Sequence, residues 1–471
     1  MTRPAIKSLP MWKKIIYAFG QLGWSLAVFG VSNLINYFYL PAETKQGPGF
    51  PSFISQQLFL GATIVGAVVF ATRFGDAIID PIVAAMSDRA TFRMGRRMPF
   101  LAVGAFFCAL FSVLVFTPPV MGISAWNAVW FAACVVGFYF FFTVYTMPYF
   151  ALLSEIAHTP EERLNLSTIT SITWALGFIL GNMTFALKVG MEPMLLSWGV
   201  SSAVAGVRSF QLALAILGVI AMIFMYLPVI FIREREYCEA HSSNEDTWQA
   251  VVATFKNRNF RFFALSDLTY WVAMTTIQST IAYYIMVLLK LPEQFISQLL
   301  LVLFLASFVF YAPVNILARK FGKKAVLIVA FIVFALVFVF TGTLGHLPLS
   351  PLVQAYIIAL AAAFPMAAFG ILPGAMVADI ADADGIHTGQ FRAGMFFATR
   401  TFAMKLGTSL ATLILPTILT LGKSTENDTG VRLTSVLALV FCFLGLFFLT
   451  RVNEKDILTT LKSGHSDTPP S

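Results

Sequence analysis

Hydrophobic residues occupy this chain in long blocks joined by short polar stretches rich in Arg, Lys, Asp and Glu. A block of about 20 apolar residues crosses the hydrocarbon core of a bilayer as a helix, because lipid offers the backbone no hydrogen-bond partners and a helix satisfies its own. Measured against that length, the pattern predicts helices near 13–40, 56–86, 99–118, 125–153, 167–187 and 209–232. A second set is predicted near 262–289, 296–317, 324–344, 351–379, 394–421 and 431–450. The expected fold class is an all-α membrane protein with twelve transmembrane helices. The longest internal polar stretch, 233–261 with "REREYCEAHSSNED", reads as a solvated cytoplasmic linker. It separates an N-terminal six-helix bundle (1–232) from a C-terminal one (262–451), and 452–471 follow as a cytoplasmic tail.

Composition agrees: 58% hydrophobic and 11% charged residues exclude a soluble globular chain. The net charge of +8 is a topology signal rather than a nucleic-acid footprint, so no nucleic acid is expected as partner. Arg89, Arg93, Arg96, Arg97, Arg163, Arg233, Lys256, Arg258, Arg261, Arg319, Lys320, Lys323, Lys324 and Arg392 all fall in joints on one side. An even helix count puts both ends on that side, and the positive-inside rule makes it the cytoplasm of a cell (plasma or inner) membrane. Cys108, Cys134 and Cys442 lie in predicted spans and Cys238 in the linker, so no disulfide framework is expected. The basic start "MTRPAIKSLPMWKK" leads into an apolar segment too long for a signal peptide and reads as the first helix. No metal-binding His/Cys spacing, phosphate-cradling glycine loop or nucleophile elbow stands in a suitable context, so neither an enzyme nor a cofactor is expected.

The two halves repeat. A basic joint follows the second helix of each, "SDRATFRMGRRMPFL" from Ser87 and "ARKFGKKAVLI" from Ala318. The fourth helices carry "MPYFALLSEIA" from Met147 and "LPGAMVADIA" from Leu372, and the fifth share "WALG" at Trp174 and "MKLG" at Met404. Parallel repeats of this kind mark the major facilitator arrangement, in which two halves alternate access to a site at mid-membrane.

Against this background the predicted second helix is anomalous, because it contains "RFGDAIIDP". Arg73, Asp76 and Asp80 are spaced i, i+3, i+7 and share one helix face about 10 Å long. A charge facing lipid costs several kcal/mol, so ionisable residues in spans face a cavity or a partner. Two acids against one base leave a negative surplus that a cation would balance. The competing reading is a buried salt-bridge network that only fixes helix packing.

"DAIIDP" followed by "GRRMPFL", then "YTMPYFALLSEI" with "EERLNL" and "GQFRAGMFFATRTFAMKLG", resembles the glycoside-pentoside-hexuronide:cation symporters across essentially the whole chain. The resemblance implies that Asp76 and Asp80 bind the coupling cation, serving as metal ligands if it is Na⁺. It also implies that Thr143 contributes to that site and that Lys405 of the eleventh helix stands close by. Arg73 and Arg400 are the other intramembrane cations available for charge balance. Where the melibiose permease of that family has an asparagine beside the second aspartate, this chain has Ile79, which removes an oxygen that Na⁺ would favour. A proton needs one carboxylate only, and the coupling ion is left open between H⁺ and Na⁺. The permease's charged sugar clamps align with Ser25, Thr146 and Thr170, all neutral hydroxyls.

Further candidates for solute contact are milder. Gln21, Ser25, Ser32 and Asn36 fall within about 60° of arc on the first helix. Small polar residues also satisfy neighbouring helices, which is the alternative reading of this stripe. Thr170 and Trp174 on the fifth helix, and Asp267, Tyr270, Trp271 and Gln278 on the seventh, offer further polar or aromatic walls. Asp88, Arg96, Arg97, Glu155 and Asp379 lie at helix ends beside the basic joints and are expected to latch the cytoplasmic side as gating salt bridges. The sequence thus leads to a secondary active transporter, a functional monomer in the lipid bilayer that couples H⁺ or Na⁺ to an organic solute, by family default a glycoside. A lysolipid or other amphiphile carrier of the same fold, and an uncoupled facilitator or channel, are the alternatives.

Overall fold

A computed structural model describes residues 9–44, 47–48, 50–59, 62–90, 92, 94–157, 160–237, 254–389 and 393–466. The chain divides into two units, Met1–Ser243 and Asn244–Ser471. Six long helices build the first: α1 (Met11–Asn33), α2 (Ile64–Arg89), α3 (Met98–Leu114), α4 (Ala125–Ile156), α5 (Pro160–Ser197) and α6 (Ser202–Phe231). The second holds α7 (Arg258–Tyr283, extended by a π turn Tyr284–Leu288), α8 (Gln294–Phe321), α9 (Lys323–Gly342), α10 (Pro351–Thr388), α11 (Ala393–Leu419) and α12 (Thr429–Thr450), followed by α13 (Glu454–Ser466). Ten of these helices are long and apolar enough to cross a membrane. Of the other two, α3 is a shorter apolar helix, and α2 contains Arg73, Asp76 and Asp80 in every stretch long enough to span.

Helix contacts repeat between the units. In the first, α1 packs on α5 and α6, α4 on α2 and α3, and α3 on α6. In the second, α7 packs on α11 and α12, α10 on α8 and α9, and α9 on α12. The glycines of "WALG" and "MKLG" explain part of that match. A Cβ on Gly177 would come within 2.6 Å of the Leu22 carbonyl oxygen of α1, and one on Gly407 within 2.5 Å of the Leu268 carbonyl oxygen of α7. Each glycine lets two helix backbones touch, as small residues do wherever membrane helices approach closely.

Several predicted boundaries are corrected. The second helix, expected from 56, begins at Ile64, because Thr63 adopts an extended backbone and its hydroxyl accepts the Gly66 N–H at 3.1 Å as an N-cap. The apolar residues before it form a small antiparallel pairing of Leu58–Phe59 with Ala62–Thr63. The fifth helix, expected at 167–187, runs from Pro160 to Ser197, since Pro160 suits a first helical turn and "EERLNL" is built mostly of good helix formers. The sixth starts at Ser202 rather than 209. The tenth runs past 379 to Thr388, where Gly389 in a left-handed conformation (φ 71°) ends it. Residues 238–253 of the predicted linker lie outside the described residues.

Candidate functional site

The acidic residues of α2 meet α4. Thr143 is fully buried, and its hydroxyl lies against both carboxylates, donating to Asp76 Oδ1 and lying 3.1 Å from Asp80 Oδ1. Asp76 is buried and Asp80 half-buried. A hydroxyl carries one proton, so it serves one of the two carboxylates at a time while its lone pairs remain available. Three oxygens from two helices therefore converge on one point, as hard cations require. The i, i+4 spacing of 76 and 80 makes this possible, because it stacks the two acids on the α2 face that packs against α4.

Arg73, one turn before Asp76 on α2, bonds to α1 and α4. Its Nε donates to the Tyr139 hydroxyl at 2.9 Å, its Nη2 donates to Ser32 Oγ at 2.6 Å, and the guanidinium lies 5.0 Å from the Tyr139 ring centre. Tyr139 precedes Thr143 by one turn, so Arg73 ties α2 to α1 and α4 beside the carboxylates. Ser32, expected to face solute, is thereby joined to the charge network.

The remaining residues of the α1 stripe separate. Ser25 is completely buried, its hydroxyl donates to the Leu22 carbonyl at 3.0 Å, and Gly177 of α5 packs directly on it. Ser25 thus sits where the backbones of α1 and α5 touch. Gln21 and Asn36 are buried. Thr170 is buried in α5, while Trp174 is half-buried with its ring 4.5 Å from that of Phe178. Thr146 of α4 is buried, and among the described residues its hydroxyl has no hydrogen-bond partner. It lies one turn from Phe142 and one from Phe150, and both rings meet Trp24 of α1 edge-on, at 5.5 and 5.8 Å. Trp24 Nε1 is likewise buried without a hydrogen-bond partner among the described residues. The sequence reading missed Trp24; its only signal was a tryptophan one residue from the polar stripe.

In the second unit Arg400 of α11 forms a two-pronged bond to Asp267 of α7, Nε to Oδ2 at 2.9 Å and Nη2 to Oδ1 at 3.4 Å. Alignment of the units on Leu22 and Leu268 places Asp267 at the position of Gln21, and alignment on the two glycines places Arg400 at that of Thr170. A neutral pair in one unit is thus an ion pair in the other. Arg400 is committed to Asp267. Trp271, Gln278 and Lys405 are half-buried on α7 and α11.

The expected gating residues form two clusters, one per unit. Glu155 accepts from Arg96 Nη2 at 2.9 Å and Arg97 Nη2 at 2.6 Å, and Asp379 accepts from Lys323 Nζ at 2.5 Å. The side chain of Asp88 lies outside the described residues. Two acids overlooked in the sequence complete these clusters. Glu234, placed there in the solvated linker, is buried and accepts the backbone N–H groups of Arg96, Arg97 and Met98 at 2.9, 2.8 and 3.3 Å. Glu454, placed in the tail, accepts those of Lys323 and Lys324 at 2.8 and 3.2 Å. Each carboxylate seats on the positive end of the helix that follows, α3 or α9. Gly95 (φ 117°) and Gly322 (φ 92°) shape the preceding turns. An acid directly after the sixth and twelfth helices, matched to "GRR" and "GKK", was the available clue.

The family model described as MFS/sugar transport protein matches residues 16–452. The isoprimeverose transporter of Lactiplantibacillus pentosus is 25% identical over 60% of this chain, a match that spans only 55% of that relative's length. The inner membrane symporter YicJ of Escherichia coli is 22% identical over 86% of this chain and 87% of its own. The sodium-dependent lysophosphatidylcholine symporter 1 of Xenopus tropicalis is 22% identical over 96% of this chain and 90% of its own. Among solved structures, a D-xylose-proton symporter superposes with a TM-score of 0.65 at 14% identity, covering 93% of this chain and 96% of that one. The nucleoside transporter NupG superposes with a TM-score of 0.62 at 12% identity, covering 96% and 100%. These superpositions establish the major facilitator fold, and with the match along nearly its whole length, the chain belongs to the MFS/sugar transport protein family.

Proposed function

We propose that this protein is a secondary active transporter, a multi-pass membrane protein that uses a cation gradient to move an organic solute by alternating access. The observation that carries the reading is the meeting of Asp76, Asp80 and Thr143 at one buried point in a helix that otherwise belongs in lipid. Two carboxylates held together in a low-dielectric setting favour uptake of a positive charge, and a coupled cation supplies it. The relatives named as symporters support the same reading. The ion is H⁺ or Na⁺. The Na⁺ form uses Asp76, Asp80 and Thr143 as oxygen ligands, with Arg73 and Lys405 setting the charge balance. Both chain ends lie in the cytoplasm, and Glu155 with Arg96 and Arg97, and Asp379 with Lys323, tie helix ends on that side. The protein works as a monomer.

The family default for the solute is a glycoside or similar sugar-like compound, in keeping with the isoprimeverose relative. A specific feature favours a second reading, an amphiphile. Where one sugar clamp would place a charged group, this chain offers Thr146, whose Oγ1, like Trp24 Nε1, has no hydrogen-bond partner among the described residues, and Trp24 meets Phe142 and Phe150 on either side of Thr146 in α4. Such a surface pairs one hydrogen-bonding group with an apolar body. Thermal-shift titration with glycosides, uronates, nucleosides and lysolipids, each with and without Na⁺, separates the two readings, since a ligand of the native state raises its apparent stability.

The coupling test is substitution at the acids. Asp76→Asn and Asp80→Asn are each expected to abolish gradient-driven accumulation in vesicles while the protein stays folded and membrane-inserted. Undiminished accumulation in both variants returns the pair to a structural role.

A further inference from the structure

The end of the second unit where α7 begins and α12 closes carries Lys256, Arg258, Arg261, Arg451 and Lys455, all exposed. The two helices are pinned together there: the Asn453 N–H donates to Asn259 Oδ1 at 2.9 Å, and Ser266 Oγ donates to the Gly445 carbonyl at 2.9 Å. The cations are thus held on one rim. Among the described residues, none of the five has a salt bridge or a side-chain hydrogen bond. Of the acids adjacent in sequence, Glu454 is engaged by the start of α9, and exposed Asp456 makes no ion pair among the described residues.

The corresponding end of the first unit is different. Lys14 pairs with Glu162 at 3.0 Å, Lys13 donates to the Tyr237 hydroxyl at 3.1 Å, and Arg233 pairs with Glu236 at 3.2 Å. Two repeats of one architecture therefore treat their cations in opposite ways. A cluster of like charges left without counter-charge repels itself, and an anionic partner removes that repulsion.

The surroundings indicate which partner. Arg451 lies over the ring of Phe447 at 5.0 Å, and Arg261 over that of Phe262 at 5.8 Å. Phe447 ends a stripe of exposed apolar residues on α12, with Val436, Val440 and Phe443 before it at helical spacing. An apolar stripe running along a membrane helix into a group of cations has the layout of an acyl chain below an anionic headgroup. We propose that this rim is a binding site for an anionic phospholipid of the surrounding bilayer, whose phosphate is held by Arg258, Arg261 and Arg451, with Lys256 and Lys455 flanking, and whose chains lie on the α12 stripe. Basic pockets at membrane-helix ends bind acidic headgroups through this combination of charge and depth.

The test uses the full chain purified in detergent, titrated separately with phosphatidylglycerol, phosphatidylcholine and inorganic phosphate, and followed by native mass spectrometry and thermal melting. Phosphatidylglycerol is expected to be retained and to raise Tm, with phosphatidylcholine and phosphate inactive. The triple variant Arg258→Gln, Arg261→Gln, Arg451→Gln is expected to retain at least tenfold less phosphatidylglycerol. Lys13→Gln with Lys14→Gln should leave retention unchanged, and Arg258→Lys, Arg261→Lys, Arg451→Lys should keep it within threefold. Equal retention by the glutamine variant overturns the proposal, as does equal loss in the lysine variant, where charge is preserved. Protection by inorganic phosphate matching that by phosphatidylglycerol also overturns it, because the rim would then be a free-anion site.

Discussion

At the scale of single residues, the hydroxyl of Thr143 is the contact that joins two helices' worth of chemistry. It supplies one of three converging oxygens, so its removal tests whether the point is a cation site. Thr143→Ser keeps the oxygen and is expected to hold the apparent cation affinity for transport within about threefold. Thr143→Ala removes it and should weaken that affinity about tenfold, a loss of ~1.4 kcal/mol. A cation titration in which alanine and serine behave alike rejects the site. Arg400 and Lys405 separate in the same way. Removing one partner of a buried ion pair leaves an uncompensated charge costing ~3–5 kcal/mol. Arg400→Gln is therefore expected to lower Tm strongly, and Asp267→Asn combined with it should recover most of the loss. Lys405→Gln is expected to alter the cation dependence of transport more than Arg400→Gln does. Matching cation titrations for the two single variants defeat this division of labour.

At the scale of elements, the glycine seams explain why the fifth and eleventh helices take their places. Leu at 177 or 407 forces backbones apart where they touch, and each variant is expected to lower Tm by several degrees or to prevent folding. Gly75→Ala serves as the comparison, because nothing lies within 4 Å of its would-be Cβ. A Gly177→Leu protein melting with the parent would show that α1 and α5 can separate freely. Much of this level was legible beforehand. The spans followed from their length, the repeat from paired motifs, and the α2 acids from the cost of charge in lipid. Other features depended on contacts that no periodicity encodes. Thr63 sets the start of α2 through one side-chain bond, and the polar "EERLNL" run looked like a joint although most of its residues are good helix formers. Glu234 sat among exposed-looking charges, and only the fold reveals that the backbone of α3 claims it. Trp24 was indistinguishable from any apolar tryptophan until Phe142 and Phe150 were placed against it.

At the scale of the whole molecule, each unit closes one of its helix ends with its own acid. Glu234 and Glu454 cap α3 and α9, and losing such a cap costs about 1 kcal/mol. Glu234→Ala and Glu454→Ala are expected to lower stability to similar extents and additively in the double variant, since each cap acts inside its own unit. Calorimetry giving a double-variant loss well beyond the sum of the singles would mean that the two caps are energetically joined.

The division of the three oxygens between α2 and α4 has a mechanical side. Both carboxylates ride on one helix and the hydroxyl on its neighbour, so a cation gripped by all three works as a rivet between two rods. With the rivet withdrawn, the two carboxylates of one helix still meet the other through the Thr143 hydroxyl, which has one proton to share between them. Filling and emptying the point then changes the shear stiffness between α2 and α4. Spin labels on these two helices should register the arrival of the ion as a narrower spread of distances, before any solute has bound.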